Sequence, residues 1–214
     1  MAYSRTYETI ILKAYDVGEA DRFLILFTRE RGRLTARARG VRKPGSRMGG
    51  HVLPFQLSSI TLVEGHAGLL VVAAQRTSPP VRSEIVQFLH AEEGIEILTT
   101  LLHDEEPLPE IFDCTQRFLG MCQEESSDPV LPFTIAILHR SGLLPDMRDA
   151  EHAPQLSPQS RAAVHACTCG EWKAIADLPQ DCVRTLKTLC NDIVAQSTGM
   201  TLRTPGIAAA LMDK

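Results

Sequence analysis

A chain of 214 residues with 44% hydrophobic and 22% charged content carries enough apolar material for one large or two small cores, which excludes an intrinsically disordered chain. No segment approaches the ~18 uninterrupted apolar residues of a membrane helix, and the opening MAYSRTYE has no apolar export stretch, so the protein is expected in the cytoplasm. The net charge of −4 conceals a split: residues 1–50 hold eleven Lys/Arg against five Asp/Glu, and residues 51–214 hold eleven against twenty-one, which points to a polyanionic partner for one half only.

From residue 7 to 76, β-branched and aromatic runs alternate with glycine-bearing turns at short spacing. Strands are predicted at 8–15, 22–28, 33–39, 57–63 and 69–74. Five short strands in so short a stretch suit a small barrel, because closure removes exposed edges, and an OB-fold is the leading candidate. Along 33–39 the sequence RLTARAR alternates arginine with small or apolar residues, so a strand would set Arg33, Arg37 and Arg39 on one face. The loop after it adds Arg42, Lys43 and Arg47, with flexibility expected at Gly45, Gly49 and Gly50. Its spacing is superficially that of a nucleotide phosphate loop, but the lysine is missing and no helix pattern follows. Backbone phosphates of a nucleic acid are the better fit.

Thr77, Ser78, Pro79 and Pro80 break the strand pattern, and beyond them the spacing becomes helical. The expected organisation is therefore α+β: a five-stranded OB-fold barrel over residues 1–78, then an all-α domain over 79–214. Helices are predicted over 81–102, with Ile85, Phe88, Leu89, Ile95, Leu98, Leu101 and Leu102 as its apolar positions, then over 109–122 and 129–141. A polar loop follows at 148–155. Ser157 caps a helix running toward Ala176, and 179–198 forms the last helix, stopped by Gly199.

Six cysteines without an export signal read as reduced thiols; Cys114/Cys122 and Cys182/Cys190, eight apart, fit buried small apolar positions on a helix face. His165, Cys167 and Cys169 invite a metal, but a helix would turn the two cysteines to nearly opposite faces and supply too few ligands, so none is expected. With 5% aromatic content, nucleic-acid binding is expected to be mainly electrostatic and steeply salt-dependent. Phe23, Phe27 and Phe55 are expected in the core, and Tyr15 at an exposed rim.

The segments 19–34 (EADRFLILFTRERGRL), 38–47 (ARGVRKPGSR) and 53–55 (LPF) together resemble the N-terminal domain of the RecO DNA-repair family. There a Glu-x-Asp turn, an apolar strand ending Phe-Thr, a glycine before the next strand, a basic glycine loop ending in serine and a Pro-Phe pair occur in the same order. Looser likeness continues in 133–146 (FTIAILHRSGLLPD) and 198–204 (TGMTLRT). Many members carry a four-cysteine zinc knuckle after the Gly-x-x-Pro segment; here Met147 and the residues up to Pro154 include no cysteine, and the knuckle is absent.

The resemblance implies a bacterial, nucleoid-associated mediator of DNA repair and homologous recombination. Such a protein binds single- and double-stranded DNA and anneals complementary strands. Its partners would be RecR, the acidic C-terminal tail of single-stranded DNA-binding protein and, indirectly, RecA. For the tail, an apolar pocket with a basic rim is expected on the helical domain, with Arg140 as a candidate rim residue. No catalytic constellation or cofactor motif stands out, so a non-enzyme is expected. The alternative is a non-catalytic OB-fold adaptor whose basic loop meets an acidic protein, with a hydrolase a distant third.

Overall fold

Strand β1 (Ser4–Val17) begins the fold in the computed structural model, which describes residues 4–79, 84–124, 128–147, 156–200 and 202–204. The start of the first predicted helix, the polar loop at 148–155 and Thr201 lie outside these residues. β1 carries a bulge between Ile11 and Lys13, and the extra residue bends the strand so that it pairs with two neighbours. It meets β2 (Asp21–Thr28) on one side and β4 (Leu57–Gly65) on the other, both antiparallel. β3 (Gly32–Ala38) follows β2, and β5 (Gly68–Arg76) pairs antiparallel with β4 and parallel with β3. The result is a closed barrel in the order β1-β2-β3-β5-β4, that of an OB-fold.

Small residues make the closure possible. Ala36 and Ala38 face inward on β3 where it meets Leu69 and Val71 of β5, and Leu24, Leu26, Leu34, Ile60 and Leu62 fill the interior. Val41 and Val52, at either end of the long basic loop, plug the same core.

Among the described residues, five helices follow: α1 (Ile85–Leu101), α2 (Pro109–Met121), α3 (Val130–Arg140), α4 (Pro158–Thr168) and α5 (Gln180–Thr198). None is long and apolar enough to cross a membrane. Ser157 caps α4 by accepting from the Ser160 amide at 3.1 Å, with Pro158 at the first position, as the sequence predicts. The helix, whose length toward Ala176 the sequence leaves open, stops at Thr168, where Gly170 turns left-handed (φ 95°) and a single 3₁₀ turn, Trp172–Ile175, follows. Gly199 ends α5 in the left-handed conformation.

Residues cluster into two units, Met1–Val81 with Leu102–Gln116, and Arg82–Leu101 with Arg117–Lys214. In the helical unit α3 is the central rod, buried from Val130 to Leu138. Phe133 stacks on Phe118 at 4.2 Å and meets the edge of Trp172 at 6.3 Å, while Arg117 lies 4.5 Å over the Trp172 ring. Glu96 of α1 accepts from the amides of Arg203 and Thr204, which ties the chain after α5 back to α1. Two expected core positions, Ile85 and Phe88, lie exposed instead, while Leu89, Ile95, Leu98 and Leu102 are buried as expected and Ile97 joins them, because the apolar residues here run round the helix.

The thiols divide by burial. Cys114, Cys122, Cys167 and Cys190 are buried, Cys182 is half-buried and Cys169 is exposed. Burial pushes the Cys167 and Cys190 thiols up to about 12 and raises that of Cys122 as well. In the native chain an aromatic disulfide reagent at neutral pH is expected to label Cys169 rapidly and Cys182 slowly. The four buried thiols should react only on unfolding, since the thiolate is the reactive form.

Candidate nucleic-acid interface

The outward face of β3 carries Arg33, Thr35 and Arg37, because their inward neighbours Leu34, Ala36 and Ala38 belong to the barrel core. Arg39 stands just past the strand, in the turn that opens the loop holding Arg42, Lys43 and Arg47. Backbone hydrogen bonds hold parts of that loop between its glycines. The Arg42 amide donates to Ala20 O at 2.9 Å, Lys43 N to Gly40 O and Ser46 N to Lys43 O. Residues Gly49–His51 form a 3₁₀ turn, and Ser58 Oγ donates to His51 O.

Intramolecular carboxylates split this basic surface into two ends. At one end Arg29 pairs with Asp113, Arg31 with Glu105 at 2.9 Å and Arg33 with Asp104 at 2.7 Å. All three acids lie in 102–116, which returns to the barrel unit: Glu105 N donates to Arg33 O at 3.0 Å, and Phe112 packs 5.5 Å from Phe27. Nothing in local periodicity reveals this return. Its one sequence signal is the complementarity between Arg29, Arg31 and Arg33 and the block Asp104, Glu105, Glu106, followed by Asp113.

At the other end lie Arg37, Arg39, Arg42, Lys43 and Arg47, with Arg22. Asp21 accepts from the Gly40 amide and from Arg37, both at 2.8 Å. The Gly40 N–H holds its carboxyl below the ordinary value against the opposing effect of burial, helped by Arg37 and Arg39. Asp16 accepts from Arg22 at 3.0 Å and lies 3.2 Å from Arg42, which also donates to Gly18 O. Arg39, Lys43 and Arg47 are exposed and make no ion pair with a carboxylate among the described residues. Five of the six predicted cations therefore share one end of the barrel, and Arg33 sits at the other, against Asp104.

The aromatic expectations divide as well. Phe27 and Phe55 are buried and Tyr15 is exposed, as expected, but Phe23 lies on the outer face at 40% exposure. Leu24 and Leu26 take the inward positions, so Phe23, Ile25 and Phe27 all point outward, and Phe112 covers only Phe27.

The helical unit holds a cavity of about 240 Å³ lined by His90, Glu93, Asp128 and Lys187 over Leu89, Ile97 and Leu131. Burial pushes the Asp128 carboxyl up, but Lys187 at 2.9 Å and His90 outweigh it and hold it low. Burial raises the Glu93 carboxyl, with Asp128 and Glu96 adding repulsion against the pull of Lys187. A group raised in the folded state stabilises below its ordinary value of 4.5 and loses that contribution as pH climbs through the folded value. Glu93→Gln is therefore expected to raise the melting temperature at neutral pH but not near pH 4, which a thermal melt series checks.

No group of three or more His, Cys, Asp or Glu among the described residues is placed to hold a metal ion. Residues 147–154 include no cysteine, so that stretch offers no thiolate set for a structural zinc ion.

Residues 1–77 match the family model described as recombination protein O N terminal. The chain is 32% identical to the DNA repair protein RecO of Myxococcus xanthus over 146 residues, covering 64% of this chain and 59% of that protein. It is 32% identical to the DNA repair protein RecO of Anaeromyxobacter dehalogenans over 142 residues, covering 64% and 56%. To the DNA repair protein RecO of Heliobacterium modesticaldum it is 37% identical over 99 residues, covering 45% and 36%. These matches span less than two thirds of the length of each relative. The barrel is thus matched from end to end by the RecO N-terminal model, and the chain is similar to RecO proteins across the barrel and into the helical sequence beyond it.

Proposed function

We propose that this protein acts in DNA repair and homologous recombination as a non-enzymatic mediator that binds DNA on its barrel and anneals complementary strands. The observation that carries the reading is the concentration of Arg37, Arg39, Arg42, Lys43 and Arg47 at one barrel end, on a strand and a fastened loop. Fixed cations of this kind hold phosphates without reading sequence, and they partly neutralise the repulsion between two strands. Pairing then accelerates without covalent chemistry. Arg33 reaches a phosphate only by leaving Asp104, so it marks the edge of the site.

The test is fluorescence-monitored binding and annealing of complementary oligonucleotides over a salt series, with wild type beside a barrel charge-reversal variant. Steep loss of affinity with salt supports the reading. Absence of binding even at low salt would favour the adaptor, in which the basic end meets an acidic protein.

The same reading includes RecR and the tail of single-stranded DNA-binding protein as partners, with recombinase loading at gaps as the outcome. For the tail, a cavity of about 640 Å³ in the helical unit fits best, with Leu144, Met147 and Val164 as apolar lining and His139, Arg161 and His165 as basic groups. Arg140 is exposed and donates to Ala136 O. A tail peptide is expected to lose at least about tenfold in affinity for Arg161→Glu and little for Arg140→Ala; the reverse order would return the rim to Arg140.

A further inference from the structure

Two exposed aromatic residues lie opposite each other on neighbouring strands at the basic end of the barrel. The register pairs Tyr15 of β1 with Phe23 of β2 and Phe23 with Arg37 of β3, so one outward row runs across three strands. Residues directly opposite in this way hold their Cβ atoms about 4.5–5.5 Å apart. Tyr15 is 50% and Phe23 is 40% exposed. Exposure is not the rule for this face, since Phe27, two steps along the same side of β2, is fully buried and packs 5.5 Å from Phe112. The cover ends where the cations without a 102–116 partner begin.

We infer that Tyr15 and Phe23 form a platform on which bases of single-stranded DNA stack, flanked by Arg37 for its phosphates. This rests on the reading of the barrel as a DNA-binding surface and gives that surface a strand preference. Bases in a duplex are stacked on one another and offer no free face, whereas unpaired bases offer one each, so a ring pair favours single strands where cations alone do not. The flanking charge selects a polyanion over an apolar protein surface as the occupant. Stacking adds affinity that salt does not screen. The platform therefore raises single-strand affinity without steepening its salt dependence.

The experiment compares an oligo(dT) of about 20 nucleotides, an abasic phosphodiester of equal length and a duplex, at two salt concentrations. Wild type is expected to hold oligo(dT) at least about tenfold more tightly than the abasic chain. Tyr15→Ala/Phe23→Ala should remove that margin while keeping the salt slope. Tyr15→Leu/Phe23→Leu keeps the apolar bulk without the π-faces, guards against loss of fold, and should remove it too. Equal wild-type affinity for oligo(dT) and the abasic chain overturns the platform but leaves the basic end as the DNA site. A margin that survives both double variants overturns the assignment to these rings. No binding of any probe at low salt overturns the platform together with the reading on which it rests.

Discussion

Replacing Arg37, Arg39 and Arg42 by glutamate is expected to abolish strand annealing and to weaken DNA binding at least about 100-fold near 50 mM salt. Each phosphate contact contributes about 0.9 to the slope of log affinity against log salt, so three lost contacts flatten it by about 2.7. Over a fourfold rise in salt that difference alone is about 40-fold. The fold should survive, because the pairs broken are exposed ones, Arg37 with Asp21 and Arg42 with Asp16, and such pairs contribute about 0–1 kcal/mol. Glutamate at 37 does meet Asp21, so the glutamine variant at the same three positions separates lost attraction from new repulsion. A triple reversal of Arg29, Arg31 and Arg33 is the internal control. Those side chains already serve Asp113, Glu105 and Asp104, so their reversal should disturb the barrel more than it weakens DNA binding. If both reversals abolish binding equally, the site spans the whole face and the carboxylates of 102–116 do not limit it.

The barrel is legible in the sequence because its information is local. Alternation in 33–39 sets the arginine face, and Gly18, Gly32 and Gly68 mark turns that need positive φ. What escapes is non-local. In β2 the run FLILF is apolar at every position, so alternation cannot say which face is the core. Barrel closure turns Leu24 and Leu26 inward, and of the two outward rings only Phe27 meets Phe112, about 85 residues away, while Phe23 stays exposed. The division of the arginines depends on the same segment. Arg33 and Arg37 are equivalent by period, and only the return of Asp104 to the barrel makes one an internal partner and leaves the other at the open end. Ile85 and Phe88 fail for a related reason, since a helix apolar on several sides does not declare which side is packed.

Gly32→Ala is expected to destabilise the barrel unit by more than about 3 kcal/mol, well beyond any single surface pair. Gly32 opens β3 at φ 68°, a left-handed conformation that costs an L-residue with a side chain roughly 1–2 kcal/mol. A methyl group there would also overlap the carbonyl of Glu106 and lie 2.8 Å from its nitrogen. These are backbone atoms, so no rotamer change relieves the clash, and 102–116 must move away. With it go the Glu105 to Arg33 hydrogen bond and the cover that Phe112 gives Phe27. Limited proteolysis should therefore cut within 102–116 in the variant and spare the wild type, and the barrel should melt earlier. Release of the segment also frees Arg29, Arg31 and Arg33, so any variant protein that stays folded should show a DNA salt slope steeper by up to about 2.7. Asp104→Asn/Glu105→Gln/Asp113→Asn isolates that electrostatic part, because it frees the same arginines while Gly32 and Phe112 stay in place. A steeper slope in the triple variant without new cleavage would mean that the acidic segment sets how much of the barrel face DNA can use. An unchanged slope in both would mean that Arg29, Arg31 and Arg33 lie beyond its reach even when unpaired.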